Sequence, residues 1–543
     1  MLADAVLTGA AVITNDPALP RAQAIAIAGG RIAAVGSLDD MRELVGPSTR
    51  EIDLGGGAIL PGFQDAHNHA CFAGRYLLTL DLHDLHTRGE YLEAVAAYAA
   101  AHPDAEWIVG GGWALPAFPG GQPRREDLDR VAPDRPVYLM NSDLHGAWVS
   151  SRALELAGVD RTTPDPPCGR IERDPDGTPT GMLQEWARDL VSRHLPPTPP
   201  DLWRRSILAA QQHLHALGIT AWQDAWVEPE PLEAYRALAA SRELTGRVVA
   251  CQWWDRTRGV EQIDAMVERR EAGAVGRLRA GTVKIMQDGV PENFTSAMVG
   301  PYLRVGEAGG GTGFSFNEPE ALRTAIKALD AEGFQVHVHA IGDRAIREAL
   351  DAFEAARDAN GARDARHHIT HLQLLDPADV PRFRDLDVTA TVQPYWASAD
   401  EQMRELTIPF LGPERAGRQY AFRTLHEAGV RLAFASDWSI STADPLMGIE
   451  VAVTRRDPGE RDAEPFIPQE ALEPEVALRA ATAGSAFVNR LDEETGTISV
   501  GRRADLVVLD HDPFDPELGG PADARVRMTL VDGEIVFEAG ATG

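Results

Sequence analysis

Between residues 59 and 437, apolar, β-branched runs alternate with amphipathic helical stretches, and this alternation limits the possible folds more than any other feature. The strand-like runs are Ile59–Asp65, Ile219–Ala225, Arg247–Trp254, Arg279–Asp288, Phe334–Ala340, His368–Leu372, Val388–Gln393 and Arg431–Asp437. Helical periodicity follows most of them, as in Glu318–Glu332, Asp343–Arg357 and Pro413–Ala428. Adjacent parallel strands need crossovers long enough to hold a helix. Eight such units predict an α/β fold, a (β/α)8 TIM-like barrel spanning residues 59–484.

The two ends have a different texture. Residues 1–58 carry short alternating runs broken by tight turns, such as Ala5–Val12 and Arg31–Val35 beside Gly29-Gly30. Residues 485–543 repeat the pattern in Ala504–Leu509, Arg527–Val531 and Glu534–Phe537, with Asp532-Gly533 as a hairpin signal. Together they predict one small β-sandwich built from both termini. Between the first and second barrel strands lies a long stretch, about residues 72–205, rich in Gly, Pro and Asp. A structureless loop of that length is rare inside a domain, so an inserted subdomain over the barrel mouth is expected.

The bulk numbers exclude more than they assign. A net charge of −30 argues against nucleic acid or an anionic membrane as partner. Three cysteines, Cys71, Cys168 and Cys251, are too few for a disulfide framework and fit a reducing compartment. No run approaches the roughly 18 apolar residues of a membrane helix, and the N-terminus lacks a basic leader pattern. The expectation is a soluble cytoplasmic protein acting on a small molecule. For its oligomeric state only the base rate speaks, and that favours a homodimer.

Lys284 is one of two lysines in a chain that otherwise uses Arg for positive charge. It stands in the apolar run Thr-Val-Lys-Ile-Met, a costly place for a bare ammonium. A buried Lys amine can shed its proton and react, whereas a guanidinium cannot. A neutral amine can capture CO2 as a carbamate, an anionic ligand able to bridge two metal ions. The plainer alternative is an ion pair with an acid such as Asp288.

Histidines weigh against that alternative. Asp65-Ala-His67-Asn-His69 ends the first strand, where residues two apart share a face and both imidazoles can meet one ion. His213-Leu-His215 has the same spacing inside a helical pattern, where the two rings diverge, and is assigned to structure. His339 ends the fifth strand, His371 the sixth and Asp437 the eighth, with Lys284 near the end of the fourth. Strand C-termini of such barrels converge on one face, where active sites lie. Imidazole and carboxylate ligands suit Zn best, ahead of Mn, Fe or Ni.

At this point the chain resembles a known family. Gly57-Ala-Ile-Leu-Pro-Gly-Phe-Gln-Asp-Ala-His-Asn-His69, Lys284-Ile-Met-Gln-Asp-Gly289, His339-Ala-Ile-Gly-Asp-Arg344 and Ser436-Asp437 resemble the amidohydrolase superfamily. The likeness is to the large branch that includes N-substituted formamide deformylases. His145-Gly-Ala-Trp-Val-Ser and Ala504-Asp-Leu-Val-Val-Leu509 match that branch as well. The resemblance implies that His67 and His69 bind the more buried of two divalent metal ions and that His339 and His371 bind the second. It implies that a carbamylated Lys284 bridges them and that Asp437 completes the first site. Thr370 stands where an acid commonly precedes the ligand His, and Ser439 where Pro commonly follows Ser-Asp-X. Both departures leave the ligands in place and bear on pocket shape.

The resemblance further implies hydrolysis of an amide or N-substituted formamide C–N bond by a metal-bound hydroxide. Asp437 would carry the proton to the leaving nitrogen. The rival reactions on such a site are deamination, lactone hydrolysis, decarboxylation and isomerisation. A non-catalytic scaffold is disfavoured by the complete ligand set. Candidate substrate contacts are Trp113, His145, Asp288, Phe294, Gln393 and Trp396, with His145 also a candidate for stabilising the oxyanion. Trp222, Trp226 and Trp438 fall in comparable positions, and about half of these aromatic and His positions are expected to line the site. Such a lining implies a substrate with an apolar or aromatic group. Cys71, close to the ligand pair, is assigned to small-residue packing.

Overall fold

The structure is a computed structural model describing residues 2–305 and 308–540. Its centre is an eight-stranded parallel sheet rolled into a barrel. The strands are β1 (Phe63–Asn68), β2 (Ile219–Val227), β3 (Arg247–Trp253), β4 (Leu278–Met286), β5 (Gln335–Ala340), β6 (His368–His371), β7 (Thr389–Val392) and β8 (Leu432–Phe434). Each pairs in parallel register with the next, from Asp65 opposite Trp222 to Thr391 opposite Ala433. The fold class is the (β/α)8 barrel that the alternation predicts.

The barrel closes at its mouth. Beyond the end of β8, Asp437 N–H donates to His67 O at 2.9 Å and His69 N–H donates to Trp438 O at 2.6 Å. Small side chains, Ala66, Ala433 and Ala435, fill the seam with Val488 and let the two strands come close. The seam joins the two strands that carry His67, His69 and Asp437.

Both ends of the chain feed two further sheets. One has the order Arg31–Gly36, Ala24–Ala28, Ala5–Thr8, Arg50–Asp53. The other runs Glu534–Glu538, Val526–Val531, Leu506–Leu509, Ala58–Pro61, Ala11–Ile13, Arg21–Ala22. Leu7, Ile25 and Ile27 of the first pack with Ile59, Leu506, Val508 and Leu530 of the second in a shared apolar core. Between β1 and β2 the chain builds a six-stranded mixed sheet from Leu80–Asp81 to Pro179–Glu185, with apolar clusters of its own around Trp113 and Trp148 and around Tyr138 and Leu183.

Several strand ends differ from the sequence reading by a few residues, the eighth strand stopping at Phe434 and leaving Asp437 in the loop beyond it, and two segments are divided. The run Ile59–Asp65 is two strands: Ala58–Pro61 pairs with Leu506–Leu509 outside the barrel, and β1 begins at Phe63. The break falls at Gly62, where a Cβ would come within 2.4 Å of Thr220 Cγ2, so only glycine lets the chain cross from one sheet to the other. The helical pattern Pro413–Ala428 is also divided, into Pro413–Ala416 and Phe422–Glu427. Among the described residues no helix is long and apolar enough to cross a membrane.

Candidate metal centre

Six side chains from five barrel positions meet at the mouth. His67 and His69 leave the end of β1, and their Nε2 atoms lie 3.0 and 3.1 Å from Asp437 Oδ1. His371, the last residue of β6, holds Nδ1 3.8 Å from Asp437 Oδ2. The His339 ring, from β5, is 4.4 Å from the His371 ring, and the His371 ring is 5.0 Å from that of His67. Lys284 Nζ lies 3.3 Å from His67 Nδ1. All six are buried. His371 and Asp437 adopt left-handed backbone angles, φ +80° and +56°, which turn the chain at the strand ends.

The short separations around Asp437 Oδ1 are not satisfied hydrogen bonds. His67 Nε2, His69 Nδ1, His339 Nε2 and Asp437 Oδ1 are buried without a hydrogen-bond partner among the described residues. Buried polar atoms are nearly always paired, so several orphans clustered in one site are the mark of a ligand cradle. His67, His69 and Asp437 each bring a ligand atom within 4.8 Å of the others. The electrostatics agree. Burial pulls the His67 imidazole down to about 3, and holds His339 and His371 well below the ordinary histidine range. Burial pushes the Asp437 carboxyl up, but the surrounding histidines outweigh it and keep it well below the usual carboxylate range. Neutral imidazoles and an ionised carboxylate are the protonation states that metal binding requires.

Lys284 fits the same site. It is 1 % exposed, and burial pulls its ammonium down to about 7 against the pull of Asp437 and Cys251. It makes no salt bridge among the described residues. Asp288, its alternative partner, is committed elsewhere: its carboxylate accepts the backbone N–H groups of Ala297, Ile341 and Gly342 at 2.8–3.0 Å.

A cavity opens over these residues. His145, Trp226, Trp253, Met286, Arg188 and Trp396 form much of its wall beside the candidate ligands. Trp396 stacks on His371 with ring centroids 5.4 Å apart and planes 5° from parallel. His145 enters from the inserted segment, its ring 5.3 Å from that of His339. Its Nδ1 meets Glu185 Oε2 at 2.9 Å, and Glu185 Oε1 accepts a 2.6 Å bond from Thr295. Burial lowers the His145 pKa, but the Glu185 carboxylate and Asp143 outweigh it and the net shift is upward.

Four expected substrate contacts stand elsewhere. Trp113 is a core residue of the inserted segment, packed on Phe118 and Trp148, with its indole N–H on Leu139 O at 2.9 Å. Phe294 packs against Tyr302 and Phe410, outside the cavity wall. Gln393 lies behind His371, accepting at Oε1 3.1 Å from its Nδ1 and donating from Nε2 to Thr370 Oγ1. Asp288 braces backbone and stands 3.5 Å from His339 Nε2. Trp222 is buried in the barrel packing, and Trp438 stacks on His213. His215 bonds Ile219 O and Thr245, a structural role.

Sequence reasoning missed Glu185, Arg188, Trp253 and His337. His337 Nε2 lies 2.8 Å from His67 Nδ1. Its signal was present, since it precedes His339 by two residues on one strand and so faces the same way.

Comparison with known proteins gives this arrangement its family. Residues 50–537 match the amidohydrolase family model. The chain belongs to the amidohydrolase family. Protein LONG AFTER FAR-RED 3 of Arabidopsis thaliana is 31 % identical, the match covering 99 % of this chain and 92 % of that one. An N-substituted formamide deformylase of Arthrobacter pascens is 29 % identical over 98 % of both chains. An uncharacterized metal-dependent hydrolase from Pyrococcus furiosus superposes with a TM-score of 0.72 at 27 % identity, covering 94 % of this chain and all of that one. As an amidohydrolase of this structural group, the protein is a metal-dependent hydrolase and uses a divalent metal.

Proposed function

We propose that this amidohydrolase cleaves the C–N bond of a small amide, an N-substituted formamide or a close analogue, whose substituent is apolar or aromatic. The observation that carries the reading is the convergence of His67, His69, His339, His371, Lys284 and Asp437 with orphaned buried atoms beneath one cavity. The end-to-end likeness to an N-substituted formamide deformylase supports the bond type, and the indoles of Trp226, Trp253 and Trp396 support the substituent.

His67, His69 and Asp437 would hold one divalent ion and His339 with His371 a second, with Lys284, carried as a carbamate, shared between them. Four imidazoles and a carboxylate suit Zn. When bound, such ions polarise a carbonyl and make water acidic near neutral pH.

The chain's own groups supply the rest. Asp437 takes the proton of the attacking water and returns it to the departing nitrogen, which leaves as a neutral amine. His145 presents its ring to the cavity, with Glu185 fixing Nδ1, so that Nε2 can donate to the carbonyl oxygen as negative charge grows there. Trp396, stacked on His371, and the Trp226–Trp253 pair, 4.2 Å apart and nearly parallel, exclude water and bind the apolar substituent.

The test is a metal count with an activity panel. Protein purified without added metal should carry about two divalent ions per chain. N-benzyl and N-aryl formamides should be hydrolysed faster than lactones or aminated heterocycles. Turnover of lactones or heterocycles with amides inert would assign a different reaction to the same site.

A further inference from the structure

The cavity wall contains two charged groups that the proposed chemistry does not use: Asp143, whose Oδ1 accepts the His145 backbone N–H at 2.7 Å, and Arg188. Arg188 is 8 % exposed and lines the cavity beside His69, His145 and Trp226. It is carried by a single helical turn, Trp186–Arg188, that follows the strand Pro179–Glu185. Glu185 makes the corner with φ +50°, a conformation that costs a non-glycine residue about 1–3 kcal/mol. That corner sets Glu185 against His145 and sends Arg188 into the cavity.

The guanidinium has spare donors. Its Nη1 donates to Leu144 O, and no other hydrogen bond from the side chain is present among the described residues. The nearest carboxylate is that of Asp189, half exposed, 3.9 Å from Nε and too distant for a hydrogen bond. The guanidinium carbon sits 5.3 Å from the centre of the Trp226 ring, and that ring is 6.4 Å from the ring of His69. One indole therefore separates the cation from the candidate metal ligands. Arg188 and Trp226 also line both clefts that lead outward from this region, one past Tyr76 and Tyr138, the other past Trp253 and Arg256.

A buried cation with unused donors is costly unless a ligand completes it. Guanidinium forks match a carboxylate with two parallel N–H···O bonds. We propose that Arg188 binds a carboxylate on the amine portion of the substrate, so that the preferred substrates are N-acylated or N-formylated aromatic amino acids rather than neutral amides. The aromatic group would lie on the Trp226–Trp253 stack while the carboxylate reaches the guanidinium beside it. The inference rests on the amide-hydrolase reading for its leaving group, but its binding component does not.

Two measurements separate them. In the first, kcat/KM is compared for N-formylphenylalanine and its methyl ester in the wild type, in Arg188→Met and in Arg188→Lys. The wild type should favour the free acid at least tenfold. The ratio should collapse toward one in Arg188→Met and be partly restored in Arg188→Lys. Because the ratio is internal to each variant, a general loss of metal or folding does not move it. The second measurement needs no turnover: calorimetric binding of phenylacetate against phenylacetamide to the metal-loaded protein. The acid should bind at least tenfold tighter in the wild type, and that advantage should vanish in Arg188→Met. A carboxylate held by the metals alone would keep its advantage in Arg188→Met and overturn the proposal, as would a wild type that prefers the ester. Failure of every amide to turn over, with the binding difference intact, would refute the amide reading and leave the Arg188 site standing.

Discussion

In the proposed function Asp437 holds two roles, in a space where its carboxylate touches three imidazoles. Its left-handed backbone is held by the bond from its N–H to His67 O across the barrel seam, and that of His371 by the bond from Leu372 N–H to Ala340 O on β5, with burial fixing both strand ends. Asp437→Asn keeps the shape and one oxygen donor but removes the base. Metal content should fall only in part, while kcat drops by at least the ~100-fold typical of a lost acid–base group. Full metal with unchanged kcat would assign the proton to another residue, His145 first. Lys284 gives a complementary test, because guanidinium cannot form a carbamate. Lys284→Arg should therefore lose activity although it keeps positive charge. Lys284→Ala should lose it too, with partial rescue by short carboxylic acids. Near-wild-type turnover of the Arg variant would refute the carbamate.

Strands carry the site, and their geometry decides what the sequence could reveal. The barrel was legible because eight runs of strand type alternate with helices. The cluster of His67, His69, Lys284, His339, His371 and Asp437 at one mouth was legible because strand ends converge. The two-residue period that paired His67 with His69 applies equally to His337 and His339, yet His337 went unassigned, since it points to the layer beneath the mouth. Substrate contacts were less legible for a physical reason: the core of the inserted segment and the wall of a cavity both favour large aromatic side chains. Trp113 and Trp396 look alike in sequence, and only tertiary packing separates them. Gln393, after β7, and Asp288, after β4, also follow barrel strands but point behind the ligands, where they orient side chains and backbone. His337 yields a prediction at this scale. It fixes the His67 ring from Nδ1, with Cys251 Sγ 3.7 Å from its own Nδ1. Residues supporting a ligand in this way are typically worth about 10–100-fold in metal affinity. His337→Ala should weaken metal binding by that factor in chelator competition, and an unchanged affinity would reduce His337 to packing.

At the scale of the whole molecule, the barrel floor is tied to the terminal sheets by ions. Arg247, at the start of β3, grips Asp505 with two bonds of 2.7 and 3.0 Å and reaches Asp532 at 2.6 Å. Arg503 holds Asp532 at 2.8 Å, and Arg277, just before β4, pairs with it as well. Arg247 and Asp505 side chains are 7 % and 2 % exposed, so this is a buried pair. Replacing it by apolar groups is often tolerated, but removing one partner strands a buried charge. Arg247→Ala should therefore destabilise the fold by about 3–5 kcal/mol, and Arg247→Met with Asp505→Leu should recover most of that loss. Denaturant unfolding of the metal-loaded protein reads both. The joint also sets an acid limit. Burial pushes the Asp532 carboxyl up, but Arg247, Arg277 and Arg503 outweigh it and hold its pKa below the usual carboxylate range. A carboxylate depressed in the folded state contributes stability that is full above its unfolded value, near 4, and is lost as pH falls through the folded value. The wild type should thus exceed Asp532→Asn in stability most at neutral pH, and the gap should narrow below about pH 4. A gap that stays constant from pH 7 to pH 3 would mean that Asp532 contributes shape and hydrogen bonds, and that its charge carries none of the joint.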